Sequence, residues 1–218
     1  MFPRVLEPEV MDTPEEARDY DAMDHAAVNR AFVADFLAVW DGANPILDLG
    51  TGTAQIPIEL CRQSPAPRVV AVDLAEAMLA VARDNVRRAG LADRLEVRRC
   101  DAKRLPFDDG AFGAVISNSI VHHIPEPRAV LAEMVRVLAP GGALFVRDLL
   151  RPRDEAELHS LVDQHAAGAN DHQRRMFADS LHAALTLEEV RERVAALGFA
   201  ADGVRQTTDR HWTWTAVK

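Results

Sequence analysis

Cysteine is nearly absent from this 218-residue chain: Cys61 and Cys100 are the only two, and their spacing suits neither zinc nor a disulfide framework. Both are expected to be small buried hydrophobes, and no metal is expected. Tyrosine occurs once, as Tyr20, and aromatics make up 6% of the chain. Positive charge is outnumbered, 25 Lys and Arg against 34 Asp and Glu, for a net charge of −9. The electrostatic footprint of a nucleic-acid binder is therefore missing. Nowhere do about 18 apolar residues run together, so no membrane span is expected. The opening Met1-Phe2-Pro3-Arg4 lacks the apolar core of a signal peptide, which points to the cytoplasm. Repeats and low-complexity segments are absent too. A chain of this length can bury one substantial α/β core, while two full domains would be crowded.

What is present is concentrated in residues 46 to 54, Ile-Leu-Asp48-Leu-Gly50-Thr51-Gly52-Thr-Ala54. An apolar run that ends in an acid and two glycines is a strand giving way to a tight turn. Glycines there let backbone N–H groups approach a ligand with no Cβ in the way, just before a helix N-terminus. About twenty residues on, a second strand-like run, Arg68-Val-Val-Ala-Val72, ends in Asp73, where a ribose with free hydroxyls would be held. Together the two loops imply an adenosine ligand. A dinucleotide fingerprint wants a third small residue three positions after its second glycine, and Gln55 stands there, too large for the close helix approach a pyrophosphate needs. A carboxylate at Asp48 suits a ligand with an ammonium group better than a pyrophosphate.

The order acid-x-Gly-x-Gly-x-small resembles the first motif of class I S-adenosylmethionine-dependent methyltransferases. Further segments follow in that family's order. Cys100-Asp101-Ala102 looks like the third-strand acid that reaches the adenine amino group. Phe112-Gly-Ala-Val-Ile-Ser117-Asn118 looks like the fourth strand, whose tip lies under the transferable methyl. His122-His123-Ile124 is similar to the paired-His segment of ubiquinone- and menaquinone-type methyltransferases and of the small-molecule group labelled type 11. Leu138-Ala-Pro140-Gly141-Gly142 closes a helix and leads into a fifth strand ending at Asp148. The resemblance covers roughly residues 30 to 150, with two departures: Ala54 replaces the commonest glycine, and Gly113 stands where Asp is usual. It implies S-adenosylmethionine as cofactor and S-adenosylhomocysteine as product. The cofactor residues it implies are Asp48, Gly50, Thr51, Gly52, Asp73, Leu74, Met78, Asp101, Ala102 and Asn118; the alternative for Asp48 and Asp73 is to cap the helices that follow them. Tyr20 either closes over the cofactor from the N-terminal arm or stands on the surface.

The expected fold is an α/β, Rossmann-like, mostly parallel seven-stranded sheet with helices on both faces and a C-terminal antiparallel β-hairpin. Residues 1–28, rich in proline and acids, are expected as a mobile arm or lid, and 29–218 as a single methyltransferase domain. Met78, Leu79, Ala82 and Val86 mark one helix face, with Gly90 as its C-terminal cap. Pro127 opens a helix that Pro140 stops, and Thr186-Leu-Glu-Glu189 is a capping box for a helix ended by Gly198. Residues 201–206 and 210–217 read as the hairpin. Residues 151–184 are least like the family. They are the expected cover of the acceptor pocket, with Gln164, His165, Asn170 and Met176 as lining, against the alternative of a solvated amphipathic helix pair.

Methyl transfer from a sulfonium is an in-line displacement that needs alignment and exclusion of water more than a strong catalyst. For a phenol, hydroxyl or amine acceptor, His122 or His123 is the candidate base, against the alternative that one lines the cofactor pocket and the other packs or caps. Asp148 either touches the acceptor or pairs with Arg147 or Arg151. The acceptor is a small molecule; no Asn/Asp-Pro-Pro-aromatic motif for base amines follows the fourth strand, and too few thiols exist for arsenic-type acceptors. A homodimer contact through the hairpin or the arm is open to the chain. Two other readings stand beside methyl transfer: a cofactor-binding regulatory or partner module without turnover, and a nicotinamide-dependent oxidoreductase. The missing Tyr-x-x-x-Lys pair speaks against the latter.

Overall fold

The computed structural model describes residues 2–7 and 12–218. The remaining part of the expected arm, residues 1 and 8–11, lies outside the described residues. Seven strands form one sheet in the order β3-β2-β1-β4-β5-β7-β6. They are β1 Ile46–Leu49, β2 Val69–Asp73, β3 Leu95–Arg99, β4 Phe112–Asn118, β5 Leu138–Leu149, β6 Val204–Gln206 and β7 His211–Val217. β1 is parallel to β2 and to β4, with Asp48 opposite Ala71 and Ile116, and β2 is parallel to β3. β6 and β7 pair antiparallel, with Gln206 opposite Trp212. This is the mostly parallel sheet with a C-terminal hairpin that the motif order implies. No helix among the described residues is long and apolar enough to cross a membrane.

The chain divides into two compact units, one holding 12–118, 129–146 and 215–218, the other 2–7, 119–128 and 147–214. In the first, α2 (Ala26–Leu37) sends Phe32, Val33 and Phe36 into a core shared with Ile46 of β1, Val69 and Ala71 of β2, and Ala114 and Ile116 of β4. β1 is buried at all four positions, as the near-continuous apolar run of an internal parallel strand requires. α4 (Glu76–Arg88) buries Met78, Leu79, Ala82 and Val86, and Gly90 follows at φ 69°. Strand order reverses between β1 and β4, and a ligand crevice forms outside the carboxyl ends of strands at such a switch point.

The stretch expected as a mobile arm carries α1 (Pro14–Ala22). Thr13 and Glu16 form a reciprocal capping box, and Pro14 presets the first helical turn. Ala17 is fully buried in a small cluster with Ala75 and Met78, which ties α1 to α4. The signal Thr13-Pro-Glu-Glu16 is present in the sequence, masked by the surrounding prolines and acids. Gly113 also has a physical reason: a Cβ there would lie 2.7 Å from Ala43 in the loop before β1.

In the second unit, α6 (Glu155–His165) and α7 (Asp171–Ala183) pack Leu158, Leu161, Val162, Ala166 and Leu181 against Leu149 at the end of β5. The pair thus has its own apolar core. α8 (Leu187–Ala196) opens on the Thr186–Glu189 capping box, as its sequence signal dictates. Two boundaries differ from expectation. α5 (Pro127–Val137) ends before Leu138, which already begins β5, whereas Pro140 was the expected stop. Residues 201–203 form a short 3-10 turn, so β6 is shorter than the expected 201–206 strand.

Candidate active site

The loop after β1 turns through three left-handed residues, Gly50 at φ 72°, Gly52 at 54° and Ala54 at 63°. Ala54, fully buried, stands directly before α3 (Gln55–Gln63) and holds a conformation that costs an L-residue about 1 kcal/mol or more. The N–H groups of Gly50 and Thr51 both donate to the Val72 carbonyl, at 2.8 and 3.0 Å, lashing the loop to β2. Asp73, at the tip of β2, receives the Gly52 N–H on Oδ2 at 2.9 Å and the Ala75 N–H on Oδ1 at 3.0 Å. The acid therefore shapes both loops.

Asp48 is 2% exposed, and its Oδ2 has no hydrogen-bond partner in the protein. Burial, only partly offset by the nearby Thr51 hydroxyl and reinforced by the charge of Asp73, pushes its carboxyl up to about 7. A buried carboxylate oxygen without a partner is costly, and an ammonium group is its natural complement. Asn118, the last residue of β4, likewise has its buried Oδ1 without a partner. Ser117, one residue earlier, is satisfied by the Leu49 carbonyl at 2.9 Å. Tyr20 on α1 stands over the loop: a Cβ on Gly52 would lie 3.6 Å from its ring. Burial, then the charges of Asp73, Asp48 and Asp21, push its hydroxyl up to about 12. Tyr20 packs against the small cluster that holds buried Met78, and Leu74 is half-buried after β2. These residues fit the methionyl and ribose parts of the expected cofactor.

Asp101 and Ala102 follow β3 and are half-buried. Asp101 accepts from the Lys103 N–H at 2.9 Å and pairs with its ammonium at 3.1 Å. Burial opposes its charge, but Lys103 outweighs it and holds the carboxyl below the usual range. Gln55 is anchored: its amide donates to the Asp21 carbonyl and carboxylate, both at 3.2 Å, and its oxygen accepts from Asn29. A large, anchored side chain thus occupies the position where a dinucleotide site needs a small one.

A second cluster lies in the other unit. After Ser119, a non-glycine residue at φ 57°, a 3-10 turn carries Val121–His123. His122 is 3% exposed, and its Nδ1 is 2.5 Å from Asp148 Oδ1. Asp148, 1% exposed, also accepts from the Val121 and Leu149 N–H groups at 2.6 Å each. Burial works against its charge, yet His122 and these donors hold the carboxyl below its usual range. Of the expected partners for Asp148, Arg147 donates its Nε to Thr213 Oγ1 at 2.9 Å, and Arg151 pairs with Glu189 at 2.7 Å. The His122 and His123 rings lie 4.1 Å apart by centroid. Glu7 reaches both, its Oε1 3.4 Å from His122 Nε2 and 3.1 Å from His123 Nδ1. Arg4 anchors the same segment, donating to the carbonyls of Ala183, Pro125, His122 and Ile124. No sequence signal pointed to Glu7 or Arg4, because both act on residues more than a hundred positions away.

The expected acceptor lining is placed less uniformly. Asn170 is the N-cap of α7 in a capping box with Gln173. His165 pairs with Asp209 at 2.6 Å and receives Arg210. Gln164 is exposed and Met176 half-buried.

Residues 47–146 match a family model described as a methyltransferase domain. The chain is 41% identical over 118 residues to the demethylmenaquinone methyltransferase of Thermus thermophilus, covering 53% of this chain and 52% of that protein. It is 35% identical over 194 residues to the malonyl-[acyl-carrier protein] O-methyltransferase of Geobacter sulfurreducens, covering 84% of this chain and 66% of the relative. The chain thus spans about half to two thirds of the length of these curated relatives. In fold it is similar to an S-adenosylmethionine-dependent methyltransferase from Aquifex aeolicus, with a TM-score of 0.66 at 18% identity over 94% of this chain and 98% of that one.

Proposed function

We infer that this chain, a member of the class I S-adenosylmethionine-dependent methyltransferases, moves a methyl group from S-adenosylmethionine to an oxygen, nitrogen, carbon or sulfur of a small molecule. The observation that carries the reading is the unpartnered, buried Oδ2 of Asp48 beside the Gly50–Gly52 turn. An ammonium placed there would restore the charge that burial suppresses. Asp73 is assigned to the ribose hydroxyls, Asp101 and Ala102 to the adenine, and Asn118 to the methionyl side of the pocket. Gly50, Thr51 and Gly52 supply the backbone wall, while Leu74, Met78 and Tyr20 pack against the ligand.

When bound, the sulfonium supplies an already activated methyl group. The protein then aligns the acceptor and keeps water out, and orientation alone can contribute roughly 7–11 kcal/mol. His122, oriented by Asp148, and His123 are assigned to accept the acceptor's proton where it has one to lose. Residues 151–184 cover the acceptor, and 1–28 act as the arm of a catalytic domain at 29–218. The names of the two relatives, giving demethylmenaquinone and malonyl-[acyl-carrier protein], support a metabolite-type acceptor rather than nucleic acid. The acidic balance supports the same choice, and cytoplasmic location follows from this reading. A homodimer would use the terminal hairpin or the arm.

The test is calorimetric titration with S-adenosylmethionine, S-adenosylhomocysteine and NADH in parallel, followed by transfer of labelled methyl to a metabolite panel. Micromolar binding of the two sulfur ligands without NADH is expected. Binding of NADH alone would overturn the reading.

A further inference from the structure

We propose that Glu7, His122 and His123 form a binding site for a divalent transition-metal cation of the Zn2+ type, a site beyond the methyl-transfer reading. One ligating atom from each of the three lies within 4.8 Å of the others. Two ligands each about 2.1 Å from a metal are about 3.4 Å apart in a tetrahedron and about 3.0 Å apart at neighbouring corners of an octahedron. The two edges from Glu7 Oε1, 3.4 Å to His122 Nε2 and 3.1 Å to His123 Nδ1, have these lengths. Both Glu7 edges suit a shared cation, and the third edge, between the two imidazole nitrogens, is within 4.8 Å.

The donor set selects the ion. Two imidazoles and one carboxylate suit zinc and its first-row neighbours, whereas magnesium and calcium want oxygen. The same set leaves at least one coordination position open. The surroundings are those of a supported site. Asp148 Oδ1 lies 2.5 Å from His122 Nδ1, and with the ring proton on that nitrogen the Nε2 facing Glu7 carries the lone pair a cation needs. Ser180 donates to Glu7 Oε2 at 3.3 Å, leaving Oε1 for the cation. The carboxylates of Glu7 and Asp148 together match a charge of +2. Arg4 pins the His122 and Ile124 carbonyls at 3.0 Å, so the turn bearing both histidines is held before any ligand arrives. Cation binding and proton acceptance use the same imidazole lone pairs, so at each histidine one excludes the other.

The experiment is calorimetric titration of the chelator-stripped full chain with ZnCl2, without cofactor or acceptor. One equivalent at micromolar or tighter Kd is expected, with at least tenfold weaker binding in Glu7→Gln and in His123→Ala. Thermal midpoints of the variants in EDTA report whether they fold. Should either variant fail to fold, Co2+ added to the wild-type chain must give the visible bands of a nitrogen- and oxygen-ligated ion. No binding by the wild type, unchanged affinity in both variants, or a Co2+ spectrum of the hydrated ion would overturn the proposal. Because cofactor takes no part, that failure leaves the methyl-transfer reading standing.

Discussion

The loops after β1 and β2 and the histidine cluster after β4 are both rich in buried acids, yet they treat them in opposite ways. At the first, Asp48 and Asn118 keep a buried oxygen with no partner in the protein. At the second, Asp148 is met by an imidazole and two backbone donors. An unsatisfied buried oxygen destabilises the free protein and is kept where a ligand completes it; a saturated one stabilises the free protein. The two regions therefore respond differently to substitution.

The largest effect is expected at the saturated end. Asp148→Ala leaves His122 and two buried N–H groups without an acceptor and should cost about 3–5 kcal/mol, read as a fall in denaturant midpoint. A loss below about 1 kcal/mol would mean the cluster is hydrated and the contrast false. At the unsatisfied end the sign reverses. The carboxyl of Asp48 sits near 7, above the usual carboxylate value, so folding favours its protonated form. Its contribution is neutral below about pH 4, where both states are protonated, and becomes a growing penalty as pH rises to about 7. Asp48→Asn should therefore raise the stability of the cofactor-free chain at pH 8 by about 2–4 kcal/mol, and hardly at all near pH 4, while weakening S-adenosylmethionine. Equal effects at the two pH values would break this account.

Asp73 is intermediate, since it both shapes its loops and is assigned to the ribose. Asp73→Ala should weaken S-adenosylmethionine at least tenfold, about 1.4 kcal/mol, by calorimetry. Unchanged affinity would sink the ribose assignment. The smallest effect is expected for Asn118→Ala. Removing an oxygen that already lacks a partner should leave unfolding within about 0.5 kcal/mol of wild type while cofactor affinity falls.

Much of the fold was legible because its signals are local. The apolar face of α4, the capping box of α8 and the glycine turn after β1 each rest on residues within a few positions of one another. α1 carried an equally local signal in Thr13-Pro-Glu-Glu16, outweighed by composition. The boundary at Leu138 could not be read, because helix and strand meet with no gap and pairing in the sheet, not propensity, decides where one stops. At the site, Asp148 and the histidine pair were visible as residue types, but their union was not. Only the return of β5 beside the turn after β4 brings Asp148 to His122.

The amino-acid sequence by itself determined the motif order, the parallel sheet with its hairpin and the cofactor class, because each follows from spacing along a few consecutive residues. Only the tertiary structure decided that Asp48 keeps an unpartnered oxygen, that Gln55 is tied to Asp21 and Asn29, and that Glu7 meets two histidines more than a hundred positions away. The physical reason is range. Turns and caps are set by near neighbours, whereas the burial of a charge and its partners depend on every segment the fold brings around it.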